Sequence, residues 1–198
     1  MSDSKPSGAD APTLAQSAVV ELVLGAIGLV FIVVVGRNIG DAYSAPVDRL
    51  PAAGFGLATG LVLGGTFGVG VTRPFFAERV RPFLARFTSA RPTILNFAII
   101  GLAAALGEET LFRAAVQPSM GIWIAALLFT IAHAAIADYR HPTLGKLAYA
   151  ALAFGMGVLF GIEYDHLGIA ASMATHFAFD TTALLLIRPL LPAREVAN

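Results

Sequence analysis

Long stretches without a charged side chain constrain this chain more than anything else in it. Between Arg49 and Arg73 lie 23 uncharged residues, and between Arg113 and Asp138 lie 24 in which only His133 titrates. Shorter uncharged runs cover Leu22–Gly36, Pro92–Gly107 and Leu147–Ile162, and Leu167–Ile187 is interrupted only by His176 and Asp180. A helix needs about 20 apolar residues to cross a hydrocarbon layer of roughly 30 Å. A soluble helical protein of this size would need helices with a polar face, and these runs have almost none. With 57% hydrophobic and 13% charged residues, the chain is expected to be an integral membrane protein. The fold class that follows is all-α, a polytopic transmembrane helical bundle of about six spans.

The spans are expected near Ser17–Gly36, Pro51–Thr72, Thr93–Ala114, Gly121–Ala137, Leu147–Glu163 and Gly168–Ile187. Breakers lie between them at Ser44-Ala45-Pro46, Arg73-Pro74, Arg91-Pro92, Pro118 and His141-Pro142. Residues 1–16 read as a polar, disordered tail without the basic region of a cleavable signal peptide. Residues 17–190 are expected to form one transmembrane domain with its polar core in 93–187, and 191–198 a C-terminal tail. Gly60, Gly64, Gly65, Gly68 and Gly70 crowd the second span, and Gly155, Gly157 and Gly161 the fifth. No Lys-Ser/Thr follows them, so close helix approach is the expected use rather than a phosphate loop.

Orientation follows from the basic loops. Arg73, Arg79, Arg81, Arg86 and Arg91, against Glu78 alone, place that segment in the cytoplasm, and both termini with it. Glu163 and Asp165 then lie outside. The Arg37/Arg49 loop is the exception, since it would set two cations on the outer side. The expected location is a plasma membrane of prokaryotic type. Zero formal net charge gives nucleic acid no electrostatic footing as a partner. The absence of cysteine excludes disulfides, thiolate catalysis and thiolate metal sites.

Against this apolar background a few ionisable residues demand a reason, because a carboxylate at bilayer depth costs roughly 2.5–3.5 kcal/mol on insertion scales. Glu109 and Arg113 are four apart on a helix and can pair. Glu108 lies about 100° away, free to act elsewhere. His133 has Phe129 one turn before it on the same face. His176 and Asp180 are again four apart, a spacing that suits two ligands of one site or a histidine oriented by an acid. Three spans thus each bring ionisable groups that a bundle can unite around a water molecule. Glu108 would take its proton. His133 and His176 would either hold a divalent metal with Glu108, zinc being the natural choice for such a ligand set, or carry a proton and stabilise an oxyanion without one.

Glu108-Glu109-Thr110-Leu111-Phe112-Arg113 resembles the E-E-x-x-x-R motif of the CPBP family of intramembrane proteases, which includes CAAX prenyl endopeptidases and bacteriocin-immunity (Abi) proteins. Phe129-Thr130-Ile131-Ala132-His133 is similar to that family's F-x-x-x-H motif. His176-Phe177-Ala178-Phe179-Asp180 is similar to its third, with Asp180 where the eukaryotic endopeptidases have asparagine. The resemblance covers Thr93 to Ile187. It implies an intramembrane endopeptidase in which Glu108 and His133 activate water, His176 and residue 180 stabilise the oxyanion, and Glu109 with Arg113 supports them. The implied partners are a peptide or membrane-protein substrate and the lipid bilayer. The alternatives are a non-catalytic immunity or scaffold protein that binds a membrane partner, and a transporter using the same groups as an ion relay. One spacing argues against a shared site. Counted from the cytoplasmic ends of their spans, Glu108 lies about 22 Å deep and His133 only about 6 Å.

Overall fold

The computed structural model describes residues 14–74, 77, 93–136 and 144–190, and the structural statements below concern these. Every regular element among them is helical. Helix α1 is Leu14–Val34, α2 Ile39–Ala42 and α3 Arg49–Thr72. Helix α4, Ile94–Glu109, runs on through a π-helical segment, Thr110–Val116, into α5, Gln117–Met120. Then come α6 (Ile122–Ile136), α7 (Leu144–Leu167) and α8 (Ile169–Ile187), with a 3-10 turn at Arg188–Leu190.

Five of these helical stretches are long and apolar enough to cross a membrane: Ala15–Val34, Arg49–Thr72, Ile94–Met120, Gly145–Leu167 and Ile169–Leu190. The sixth expected span is represented by α6, which is apolar but has only 15 residues, about 22 Å of helix. Large apolar side chains face outward, as on α1, where Val19, Val20, Leu22, Val23, Ile27, Val30, Val33 and Val34 are all exposed. A water-soluble monomer rarely presents such a face; in lipid it is the ordinary outer surface of a bundle. The protein is a polytopic helical membrane protein.

Small residues set the packing. Gly56, Gly60, Gly64 and Gly68 recur every fourth residue along α3 and lie against Ala171, Thr175, Phe179 and Leu186 of α8. A side chain at Gly64 would sit 2.6 Å from the Phe179 carbonyl oxygen, so the two backbones approach too closely for anything larger. Gly157 and Gly161 do the same for α7 against Ala126 and Ile122. Gly65, Gly70 and Gly155 face open space, so the glycine-rich appearance of those spans mixes packing positions with free ones. The two tight hairpins turn on glycines with positive φ, Gly121 at 80° and Gly168 at 87°.

Three expectations need correction. Pro118 is not a linker residue; it sits in the first turn of α5, within one long helical stretch. Proline has no N–H for the carbonyl four residues back, here that of Ala114, and Arg37 Nη1 donates to that oxygen at 2.9 Å and to Ala115 O at 3.4 Å. Arg37, the exception to the charge rule, thus has a structural use. The fifth span does not end at Glu163. α7 continues to Leu167, and Glu163 is buried, accepting from Thr175 Oγ1 at 2.8 Å. The depth mismatch disappears as well. The third span does not end at Ala114 but continues to the turn at Gly121. Glu108 lies thirteen residues before that turn and His133 twelve after it. Both therefore stand about 18–20 Å from it. The basic segment that would set the orientation falls largely on residues 78–92, outside the described residues.

Candidate functional site

Glu108 and Glu109 end α4 where it passes into the π segment, and both are buried. Adjacent helix positions diverge by about 100°, and each glutamate reaches a different histidine on a different helix. Glu108 Oε2 lies 3.7 Å from His133 Nε2 of α6. Glu109 Oε1 lies 2.9 Å from His176 Nδ1 of α8. The other oxygen of Glu109 pairs with Arg113 Nε at 3.4 Å, and both side chains are fully buried. Arg113 belongs to the π segment, a helical irregularity often found at functional sites. Its guanidinium also lies 5.4 Å from the centre of the Phe129 ring.

The histidine rings are held on defined edges. His133 Nδ1 lies 2.9 Å from the Phe129 carbonyl oxygen. A carbonyl only accepts, so Nδ1 carries the proton in this bond and a neutral ring turns an unprotonated Nε2 toward Glu108. His176 is flanked by acid on both edges, Glu109 at Nδ1 and Asp180 Oδ2 at 3.4 Å from Nε2. Phe129 lies 4.3 Å from His133 and 6.0 Å from His176, centre to centre. Phe160 stacks on His176 at 4.7 Å with 16° between the planes. The pair belongs to an aromatic cluster with Phe112 and Phe179 that walls the site with apolar surface.

All seven expected residues are therefore brought to one place: Glu108, Glu109, Arg113, Phe129, His133, His176 and Asp180. Their exposure differs. The side chains of Glu109 and Arg113 are inaccessible, whereas those of His133 and Asp180 are 21% and 29% exposed. Among the described residues no three His, Asp or Glu side chains form a group suited to a metal ion, Glu108, His133 and His176 included. His176 as placed has an acid on each nitrogen. The arrangement does not fit the expected zinc set, and no step below runs through a metal.

Several participants were not legible as such. Glu163 and Thr175 form a buried pair behind the site, Thr175 also lying within hydrogen-bond reach of Gly56 O at 3.1 Å. Gln117 links Arg113, whose Nη1 lies 3.4 Å from Gln117 Oε1, to Gly161 O and Asp165 Oδ1 at 2.9 and 2.8 Å. Glu21 of α1 lies against Gly107, next to Glu108, with its Oε2 buried and without a hydrogen-bond partner. A signal for it was present: it is the one ionisable residue in α1.

Helix order and buried Glu–His pairs define a class, membrane proteins with a polar site enclosed by apolar spans. Comparison with known families agrees with that class. Residues 90–182 match the family model described as Type II CAAX prenyl endopeptidase Rce1-like, so the chain carries a CPBP/Rce1-like (Abi) family domain over that stretch. That domain contains every expected site residue and excludes Glu21. A curated relative, "Uncharacterized protein YpbD" of Bacillus subtilis (strain 168), is 28% identical over 100 residues, 50% of this chain and 49% of that protein. The chain thus spans about half the length of that relative. No solved structure matches the chain.

Proposed function

We propose that this protein hydrolyses a peptide bond of a membrane-embedded or membrane-bound substrate, with water activated between Glu108 and His133. The observation that carries the reading is the divergence of two adjacent buried glutamates onto two histidines. It separates a reactive pair, Glu108 and His133, from a braced one, Glu109 and His176. Glu108 Oε2 is buried without a hydrogen-bond partner and faces the unprotonated Nε2 of a neutral His133. A water between them, held by His133 Nε2 through one of its hydrogens, would lose the other proton to the Glu108 carboxylate as its oxygen attacks the scissile carbonyl, and the protonated Glu108 would pass that proton to the leaving amine. His176, gripped at Nδ1 by Glu109, presents Nε2–H as the donor for the tetrahedral oxyanion. Asp180 shares that proton in the resting state; the oxyanion would compete with it for the same N–H. Apolar walls exclude bulk water and strengthen each of these interactions.

Positive-inside reasoning adds that both termini are cytoplasmic. Single cysteines placed in this cysteine-free chain test that by labelling from one side at a time. The activity is tested by reconstituting purified protein in phosphatidylcholine vesicles with a library of transmembrane peptides and identifying products by mass spectrometry. Cleavage by the wild type that disappears in Glu108→Gln is the expected result. Cleavage that persists in Glu108→Gln overturns the assignment of the base.

A further inference from the structure

We infer that Glu21 is a positioning residue for Glu108, so that the candidate site is completed by a helix outside the family domain; the kinetic part of this inference rests on the hydrolytic reading above. Helix α1 contains Glu21 as its one ionisable residue. An acid in such a helix is costly in lipid unless a partner receives it.

The partner is Glu108, and the backbone explains why. Helix α1 crosses α4 at glycines. A Cβ on Gly25 would lie 3.1 Å from Gly107 Cα, and one on Gly28 would lie 2.8 Å from Leu111 Cα. A Cβ on Gly107 would strike the carbonyl oxygen of Glu21 itself. Gly107 immediately precedes Glu108, so the crossing point sets Glu21 beside Glu108; each has a buried Oε2 without a hydrogen-bond partner, and under this proposal a carboxyl–carboxyl hydrogen bond joins the two side chains. The remaining groups around Glu108 are His133 on α6, His176 and Asp180 on α8, and Glu109 on its own helix.

The chemistry of that bond defines its use. An ionised carboxylate only accepts, so one proton must lie between two bonded carboxyls. With Glu21 as the donor, Glu108 stays an ionised base and loses freedom of rotation. Its Oε2 is left facing His133 Nε2 at 3.7 Å, where the water is needed. Glu21 touches Glu108 and acts through it.

Two substitutions and a cross-link test this in the full chain in vesicles. Glu21→Met keeps the length and apolar fit but cannot donate; kcat should fall roughly 10- to 100-fold, the loss of one hydrogen bond to a charged group, with KM nearly unchanged. Glu21→Gln supplies an amide donor of the same shape and should restore kcat to within roughly threefold of wild type. Wild-type kcat in Glu21→Met, Glu21→Gln as slow as Glu21→Met, or a change confined to KM would each overturn the inference. Independently of activity, the double variant Glu21→Cys/Glu108→Cys, in a chain with no other cysteine, should be bridged by a short bifunctional thiol reagent. Failure to cross-link overturns the contact. If the wild type cleaves none of the peptides, the peptidase reading fails while the cross-link still decides whether Glu21 meets Glu108.

Discussion

The two halves of the polar site are built to opposite rules. Around Glu109, Arg113 and His176 every charge is enclosed: the first two are fully buried and His176 is 3% exposed. The acid, the guanidinium and the imidazole are bound to one another, and Gln117 extends the chain to α7. Around Glu108 and His133 the partners stand farther apart, at 3.7 Å, and the ring is partly exposed. A closed network holds its geometry because breaking any link strands a buried charge. An open, partly exposed pair has acceptors that water can reach. In the proposed reading, Glu108 and Glu109, neighbours in sequence, carry a reactive and a structural task respectively.

The sharpest way to break this comparison is to exchange each acid for its amide. Glu108→Gln should lower peptide cleavage roughly 10²- to 10⁴-fold, the usual share of a general base, while thermal unfolding in detergent stays near wild type. Equal damage to stability would erase the distinction between the halves. In the closed half, Arg113→Leu strips the buried Glu109 Oε2 of its cationic partner, leaving His176 alone on the other oxygen, and should cost about 3–5 kcal/mol of stability, read by equilibrium unfolding in mixed micelles. An Arg113→Leu protein as stable as wild type would show that the network is not a brace.

Smaller effects sharpen the picture. Gly64→Val on α3 forces a branched side chain against the Phe179 carbonyl and should cost about 1–3 kcal/mol by overpacking, whereas Gly65→Val faces open space and should be nearly silent. The same pair of variants, followed by activity, reports whether α8 must keep its position for His176 to function. The smallest expected effect is that of excess chelator. With His176 flanked by acids on both nitrogens and no three-donor group around it, cleavage should be unchanged. Loss of activity that zinc restores would show that the site rearranges around a metal.

What could be read from the one-dimensional chain reflects which forces act locally. Bilayer thickness converts uncharged runs directly into spans, so the all-helical class and the five long helices required no knowledge of neighbours. Helical periodicity likewise coupled Glu109 to Arg113 and His176 to Asp180, four residues apart in each case. Contacts between spans are set by other rules. The depth at which Glu108 meets His133 depended on where the third span turned. Pro118 looked like a break until Arg37, 77 residues from Ala114, supplied the donor that its ring removes. Glu163 looked like the end of the fifth span because its partner Thr175 lies on another helix. The role of Glu21 depends on glycines at 25 and 107 that let two backbones touch. Composition and period thus determined that this chain spans a membrane and which residues are out of place there. Only the packing of small residues across helices decided which of those misplaced charges meet, because no helix carries information about the face its neighbour will present.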